Sequence, residues 1–503
     1  MTLLRTNVLA NYAGQAWMAL MAVAFVPVYL RILGIEAFGL VGLMLSIQAM
    51  SLALDLGMGG VMNRELSRRS VNPDALGTMG HLVRTLEWLV WPMALLIALV
   101  LWLASNWLAT HWLNAEHLDT AQTQRAIVLI GVAAALQWPS SFYTNGLSGL
   151  EHQATANVIN AAFATLRSAG VVVVLHFVSS TIEAFMIWFA VVGALQSLVS
   201  GVALWRAIPH GTASFQTDEL VQAWQFARGL ALITALSIGL MQLDRVVLSA
   251  LRPLSDVGYF TLALTVAAGL GRIVQPMFNA FYPRFSRLVA KGDEKTIADL
   301  YHMGNQYLTV VVVATASVLA IFSKQVLFLW TGDAETAAIV AWPLSLLVAG
   351  SAFNGLMNLP YALQLAHGWT RLTIGLNLAS LVLGIPFSIA AVSHYGVAGA
   401  AWLWLALNVL YCVVGLPLMH RRLLRGHLTR WWCIDVLPPM IVATVVASGT
   451  HILLSDVGRD ASGIAKIILA SAITLVATAF ASPTPRARIL STIRFGHAGK
   501  RRS

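Results

Sequence analysis

Charged side chains are scarce, at 10% of 503 residues. A soluble domain carries about 25%, so an ordinary water-soluble globule is excluded. Cysteine is nearly absent as well. Cys412 and Cys433 are the two present; they cannot build a disulfide framework, and both are expected reduced and structural. No P-loop occurs, hence no ATP site of that type. A GxGxxG fingerprint, an HExxH zinc helix and a GxSxG nucleophile elbow are missing too. The 13 histidines are scattered. His81, His152, His210, His302, His367, His420 and His427 fall in or beside cytoplasmic loops and are expected to be solvated. No metal and no cofactor is assigned.

What is abundant is apolar sequence, 58% of the chain. A bilayer crossing takes about 20 such residues. Hydropathy places fourteen spans near 9–32, 39–62, 86–109, 126–148, 157–179, 183–205, 227–251, 258–283, 304–323, 336–361, 372–392, 397–419, 436–454 and 464–481. The first run is longer than a signal-peptide core and is expected to stay as a helix. With a cytoplasmic N-terminus, 22 of the 31 Lys and Arg fall on the cytoplasmic side, 6 on the other and 3 within spans. That asymmetry follows the positive-inside rule and puts both termini in the cytoplasm. The formal charge of +10 is therefore read as a topology and headgroup anchor, with no nucleic-acid partner. Trp102, Trp107 and Trp112, and separately Trp431 and Trp432, suit interfacial belts.

A faint internal repeat runs through the spans. Val28–Gly39 (VYLRILGIEAFG) resembles Val246–Gly258 (VVLSALRPLSDVG), and 151–160 resembles 366–375, each after about 215–220 residues. Six helices per half make a parallel repeat, the arrangement in which transporters often place a substrate site between halves. The domains are expected at 1–210 (spans one to six), 211–425 (spans seven to twelve) and 426–503 (two further spans and a basic tail).

Polar residues inside the spans carry the functional signal. Arg272, Gln275 and Asn279 share one face of span eight beside Pro276. Asp244 and Arg245 lie in span seven, Asn160 and Arg167 in span five, and Asn354, Asn358 and Tyr361 in span ten. Span four adds Gln137, Ser141, Thr144 and Ser148; Asp55 precedes Gly57, Gly59 and Gly60 in span two. Each Asn or Ser taken singly reads as a helix–helix hydrogen bond, and the glycines as close packing. An ion pair of Asp244 with Arg272 that only holds helices together is the bland alternative. Intramembrane charges are functional by default, however. Polar stripes in both halves with cationic Arg167 and Arg272 describe a wet cavity for an anionic headgroup, since the planar guanidinium binds phosphate oxygens in pairs.

The N-terminal segment from Asn7 to Leu40, with Pro27 and the turn LRILGIEAFG, followed by LDLGMGGVMNRELSRR (Leu54–Arg69) and later YGVAGAAW (Tyr395–Trp402), resembles the polysaccharide-transport branch of the multidrug/oligosaccharidyl-lipid/polysaccharide exporter superfamily. The resemblance covers spans one to twelve. It implies an all-α polytopic membrane protein of about 14 transmembrane helices: two six-helix lobes in a MATE-like arrangement plus two extra C-terminal helices. It also implies an O-antigen or exopolysaccharide flippase of the bacterial inner membrane, not an enzyme. Such a protein moves undecaprenyl-diphosphate-linked oligosaccharide by alternating access, with membrane lipids and polysaccharide polymerase or chain-length proteins as partners. Without an ATP site the energy comes from the substrate gradient, a proton or sodium gradient, or the membrane potential. Asp55 and Asp244 are the ion-coupling candidates. The rivals are a multidrug or peptidoglycan-precursor exporter of the same superfamily, and a polyprenyl-dependent membrane glycosyltransferase or polymerase.

Overall fold

The structure, a computed structural model, describes residues 14–54, 57–209, 213–454 and 456–499, with side chains at all of these except 52–54, 222–235 and 492–499. Asp55 lies outside the described residues. The described chain is helical, with one isolated bridge between Asn114 and Pro253.

The helices are α1 (Gly14–Ala24), α2 (Val26–Leu54), α3 (Met58–Ser70), α4 (Met79–Trp107), α5 (Thr120–Gly149), α6 (Gln153–Phe177), α7 (Ile182–Ala207), α8 (Thr217–Leu251) and α9 (Leu254–Lys291). They continue with α10 (Glu294–Ile321), α11 (Ser323–Thr331), α12 (Ala334–Leu356), α13 (Asn358–Ala366), α14 (Arg371–Tyr395), α15 (Val397–Leu423), α16 (Leu428–Leu453), α17 (Ala461–Ala481) and α18 (Pro483–Gly499). Among the described residues, 12 helical segments are long and apolar enough to cross a membrane. The predicted count of about fourteen is thus approximate. Helix α1 is apolar but short, and α8 is not among the 12.

Local chemistry explains the boundaries. Gly34 takes φ 81°, ψ 169° and breaks α2 into two helices at the predicted first turn, a conformation that favours glycine. Asp293, Asp333 and Asp460 cap α10, α12 and α17 by accepting backbone N–H bonds, the usual way to satisfy the free donors of a first turn.

Two compact units divide the chain, Met1–Thr261 and Leu262–Ser503. In the first, a core of Met62, Leu86, Phe142 and Tyr143 joins α3, α4 and α5. The turn of the repeat is built on close backbone approach. A methyl added at Gly39 would lie 2.3 Å from the Leu254 carbonyl oxygen, and one at Gly258 would lie 2.2 Å from that of Ile35. The two contacts are reciprocal: Gly39 and Gly258 are 219 positions apart, as are Ile35 and Leu254. The loop after α4 clamps the same place. Leu254 N donates to Asn114 O (2.9 Å), and the buried Glu36 carboxylate accepts from Glu116 N and His117 N at 2.6 and 2.9 Å. Gly39→Ala and Gly258→Ala are each expected to destabilise the protein by about 1–3 kcal/mol, because backbone must move to admit the methyl. Thermal unfolding of the purified protein checks this, and unchanged midpoints would contradict it.

In the second unit the two C-terminal spans dock on α10. Val318 and Phe322 pack with Ala447 and Ala470. Nearer the other end of α10 the joint is polar. His302 Nδ1 bonds Asp435 Oδ2, Gln306 Nε2 donates to Asp435 Oδ1 (2.9 Å), and Thr484 N donates to Gln306 Oε1 (2.8 Å). His302 Nε2 lies 2.9 Å from His427 Nδ1, and Tyr301 OH lies 3.4 Å from His420 Nε2. Asp435, His302 and His420 are buried. This corrects the expectation of solvated histidines at 302 and 420: the loops they border fold back onto α10. His427, partly exposed between α15 and α16, is held below the usual imidazole range by desolvation first, then by His302 and Arg430. Trp431 is also fully buried, so it is a core residue and not part of an interfacial belt.

Candidate functional site

In the first unit the predicted cation Arg167, on α6, sits among neutral amides. Its Nη2 donates to Gln196 Oε1 of α7 at 2.5 Å, and Gln196 Nε2 donates to Asn160 Oδ1 at 3.0 Å. Gln137 of α5 approaches from another side. With its amide turned toward the cation, its oxygen accepts from Arg167 Nη1 and Nη2 at 2.9 and 3.2 Å. The Gln48 amide of α2 lies 2.9 Å beyond. The guanidinium carbon stands 5.7 Å from the Phe189 ring centre, within cation–π reach. Its buried Nε has no partner. Among the described residues no carboxylate pairs with Arg167. Two amides, Gln196 and Gln137, thus reach the cation, backed by Asn160 and Gln48, and leave its charge unbalanced, a state that favours a passing anion.

Asp244 and Arg245 are neighbours on α8. Asp244 is buried, and its Oδ1 accepts from Arg245 N at 2.8 Å. Arg245 Nη1 donates to Ser46 Oγ of α2 (2.9 Å), and Ser46 donates on to Gly42 O (3.1 Å). This arginine is tied to the helix beside it, with Nε buried and unpartnered.

In the second unit, Arg272, Gln275 and Asn279 form one exposed strip of α9. Gln275 Nε2 donates to Asn279 Oδ1 at 3.3 Å. The opposite side of the helix packs: Val274 lies against Gly355, and Phe281 against Gly304. Beside the strip, Phe278 stacks on Tyr282 and on Tyr361 of α13, with ring centres 5.5 and 6.2 Å apart. Asn354 Nδ2 donates to Asn408 Oδ1 at 2.8 Å, and Asn358 keeps a buried Oδ1 without a partner. Helix α14 supplies the contrast. Its exposed positions include Leu378, Val382, Leu383, Ile385 and Ile389, the side chains that suit lipid. An exposed strip of Arg, Gln and Asn is unsuited to hydrocarbon and belongs against water or a polar ligand.

The structure therefore links Arg167 to Asn160 through Gln196, and joins Gln275 to Asn279 next to Tyr361. Gln196, Gln48 and Asn408 escaped the sequence reading. Each is a single polar residue in an apolar run, and only helix adjacency gives it meaning.

Arg167→Gln is expected to leave the unfolding midpoint within a few degrees of wild type, because removing an unbalanced buried cation also removes its desolvation penalty. Anion-dependent transport should fall at least tenfold. Paired thermal-unfolding and transport measurements check this; a large loss of stability would make Arg167 a purely structural residue.

Comparison with known proteins gives a family and a fold. Residues 4–289 match the family described as "Polysaccharide biosynthesis protein". A Shigella flexneri protein described as "Putative O-antigen transporter" is 23% identical over 409 residues, covering 79% of this chain and 93% of its own. Among solved structures, the lipid II flippase MurJ in an inward closed conformation superposes with a TM-score of 0.65 at 10% identity, covering 94% of this chain and 98% of its own. An inward-facing multidrug resistance MATE family transporter of the MOP superfamily gives 0.66 at 14% identity, covering 82% and 94%. At such identities the likeness is one of fold. The relative is named a transporter, the fold is shared with MOP-superfamily transporters, and the family match spans more than half the sequence: the chain belongs to the polysaccharide biosynthesis protein family, as a multi-pass membrane protein with a MATE-like and MurJ-like fold.

Proposed function

We propose that this protein is a flippase carrying an undecaprenyl-diphosphate-linked oligosaccharide, an O-antigen or exopolysaccharide repeat unit, across the bacterial inner membrane by alternating access. The observation that carries the reading is the exposed Arg272–Gln275–Asn279 strip on a helix of membrane-spanning length. The guanidinium replaces water around the diphosphate, and the amides and Tyr361 offer hydrogen bonds to sugar hydroxyls. Arg167, balanced by no carboxylate among the described residues, is a second phosphate contact, and Arg245 a third candidate. The moving bodies are the lobes 1–210 and 211–425, and both termini face the cytoplasm, as the charge asymmetry supports. Coupling runs through an ion gradient or the membrane potential, worth about 2.3 kcal/mol per charge per 100 mV. Asp244 and Asp55 are the proton or sodium candidates. Polymerase and chain-length proteins are the expected partners downstream.

The test is reconstitution in proteoliposomes with a fluorescent undecaprenyl-diphosphate oligosaccharide, reading its accessibility from one leaflet. Protein-dependent translocation is expected. New glycosidic bonds formed by the purified protein would favour a glycosyltransferase or polymerase. Preferential efflux of cationic drugs would favour the multidrug reading.

A further inference from the structure

Twelve residues beyond Arg272 along α9, Arg284 begins a second polar group. Arg284, Arg287 and Lys291 fall at i, i+3 and i+7 and are all exposed. With Leu288 and with Leu300 of α10 they line a hollow of about 260 Å³. We infer that this hollow is the first docking point of the lipid-linked diphosphate, occupied before the headgroup reaches Arg272; the inference rests on the flippase reading above.

Four features point to this ligand. Arg287 Nε donates to Pro283 O of its own helix at 3.4 Å, which leaves its terminal nitrogens for a ligand. Among the described residues no carboxylate forms an ion pair with any of the three cations. At about 1.5 Å per residue, Arg284 and Lys291 stand roughly 10 Å apart along the axis, room for a group with more than one phosphate. The floor is leucine, and both leucines are partly buried; it accepts the start of a polyprenyl chain. The placement completes the argument. Positions 272, 275, 279, 283, 284 and 287 are all exposed, so one strip of α9 runs from the basic hollow to Arg272, roughly 18 Å away. By the charge asymmetry the hollow is at the cytoplasmic end, where such a substrate is loaded. The positive-inside rule alone asks for cations near this end, but not for their convergence around a leucine-floored hollow. A bulk anionic phospholipid shares the phosphate chemistry but brings a single charge to three cations.

The experiment measures binding, not transport. Full-length protein in zwitterionic nanodiscs is titrated with undecaprenyl diphosphate and, separately, with phosphatidylglycerol and inorganic pyrophosphate. Undecaprenyl diphosphate should bind the Arg284→Gln/Arg287→Gln/Lys291→Gln variant at least tenfold more weakly than wild type. It should still bind Arg272→Gln, and the loss should recur when the triple change is added to that background. Unchanged binding by the triple variant overturns the inference and leaves the flippase reading standing. Displacement by equimolar phosphatidylglycerol also overturns it, assigning the hollow to bulk lipid. A wild-type protein that does not bind undecaprenyl diphosphate overturns both readings. If the triple variant fails to accumulate, Arg287→Gln alone should weaken binding several-fold, and unchanged affinity there overturns the inference equally.

Discussion

Arg272→Gln is expected to accumulate in the membrane at wild-type levels while glycan export falls by a hundredfold or more. The side chain lies on the exposed strip of α9, away from the face where Val274 meets Gly355, so its removal opens no cavity. Replacing it takes away the charge and the paired donors that stand in for water around a diphosphate. Hydrogen bonds to charged groups contribute about 1.5–3 kcal/mol each, and two of them account for the expected factor at about 1.4 kcal/mol per tenfold. Arg272→Lys keeps the charge and loses the fork, and should recover only part of the export. Gln275→Ala and Asn279→Ala should each reduce export by less, because each removes a neutral hydrogen bond. Surface-glycan staining alongside quantitation of the protein in membranes decides the matter. Normal export by Arg272→Gln at normal abundance would end the assignment.

The largest stability effect is expected at Asp435. Its two oxygens engage His302 and Gln306 in a site where Asp435 has no exposed surface. Asp435→Ala strands both partners, and Gln306 also holds Thr484 at the start of α18. Breaking a buried polar pair by removing one member costs about 3–5 kcal/mol. Replacing both members, as in Asp435→Leu with His302→Leu, should restore much of that loss, because nothing charged is then left buried. Thermal unfolding followed by size exclusion is the readout. The single variant should lose many degrees or fail to accumulate. Should the double variant prove no better than the single, the pair is not the main joint between α10 and α16.

The architecture was largely legible because a membrane helix declares itself locally. Length and hydropathy are properties of consecutive residues, so most span positions and the turn at Gly34 could be read directly. The α9 strip was legible for the same reason: 272, 275 and 279 share a face by helical spacing alone. Arg167 was visible as a cation in an apolar run, but its partner Gln196 was not, because that pairing depends on which helices stand side by side. His302 and His420 were misread because proximity to a loop was taken for exposure. Asp435 could have been found. It is a carboxylate inside WWCIDVLPPM, and an acid in such a run calls for a partner.

The reciprocal contact between Gly39 and Gly258 has a mechanical consequence. Each glycine faces both the carbonyl and the side chain of the opposing residue, Leu254 at Gly39 and Ile35 at Gly258, so the separation of the two turns is fixed by backbone and side chain together. The touching point is surrounded by buried Phe38, Leu40, Leu254, Val257 and Phe260, and apolar area makes packed surfaces hard to part, at about 25 cal/mol per Å². Each glycine meets the carbonyl that the repeat makes equivalent to its partner's, a reciprocity like that of the self-complementary face of a symmetric dimer. The reciprocal approach therefore rivets the two turns of the repeat to each other within the first compact unit.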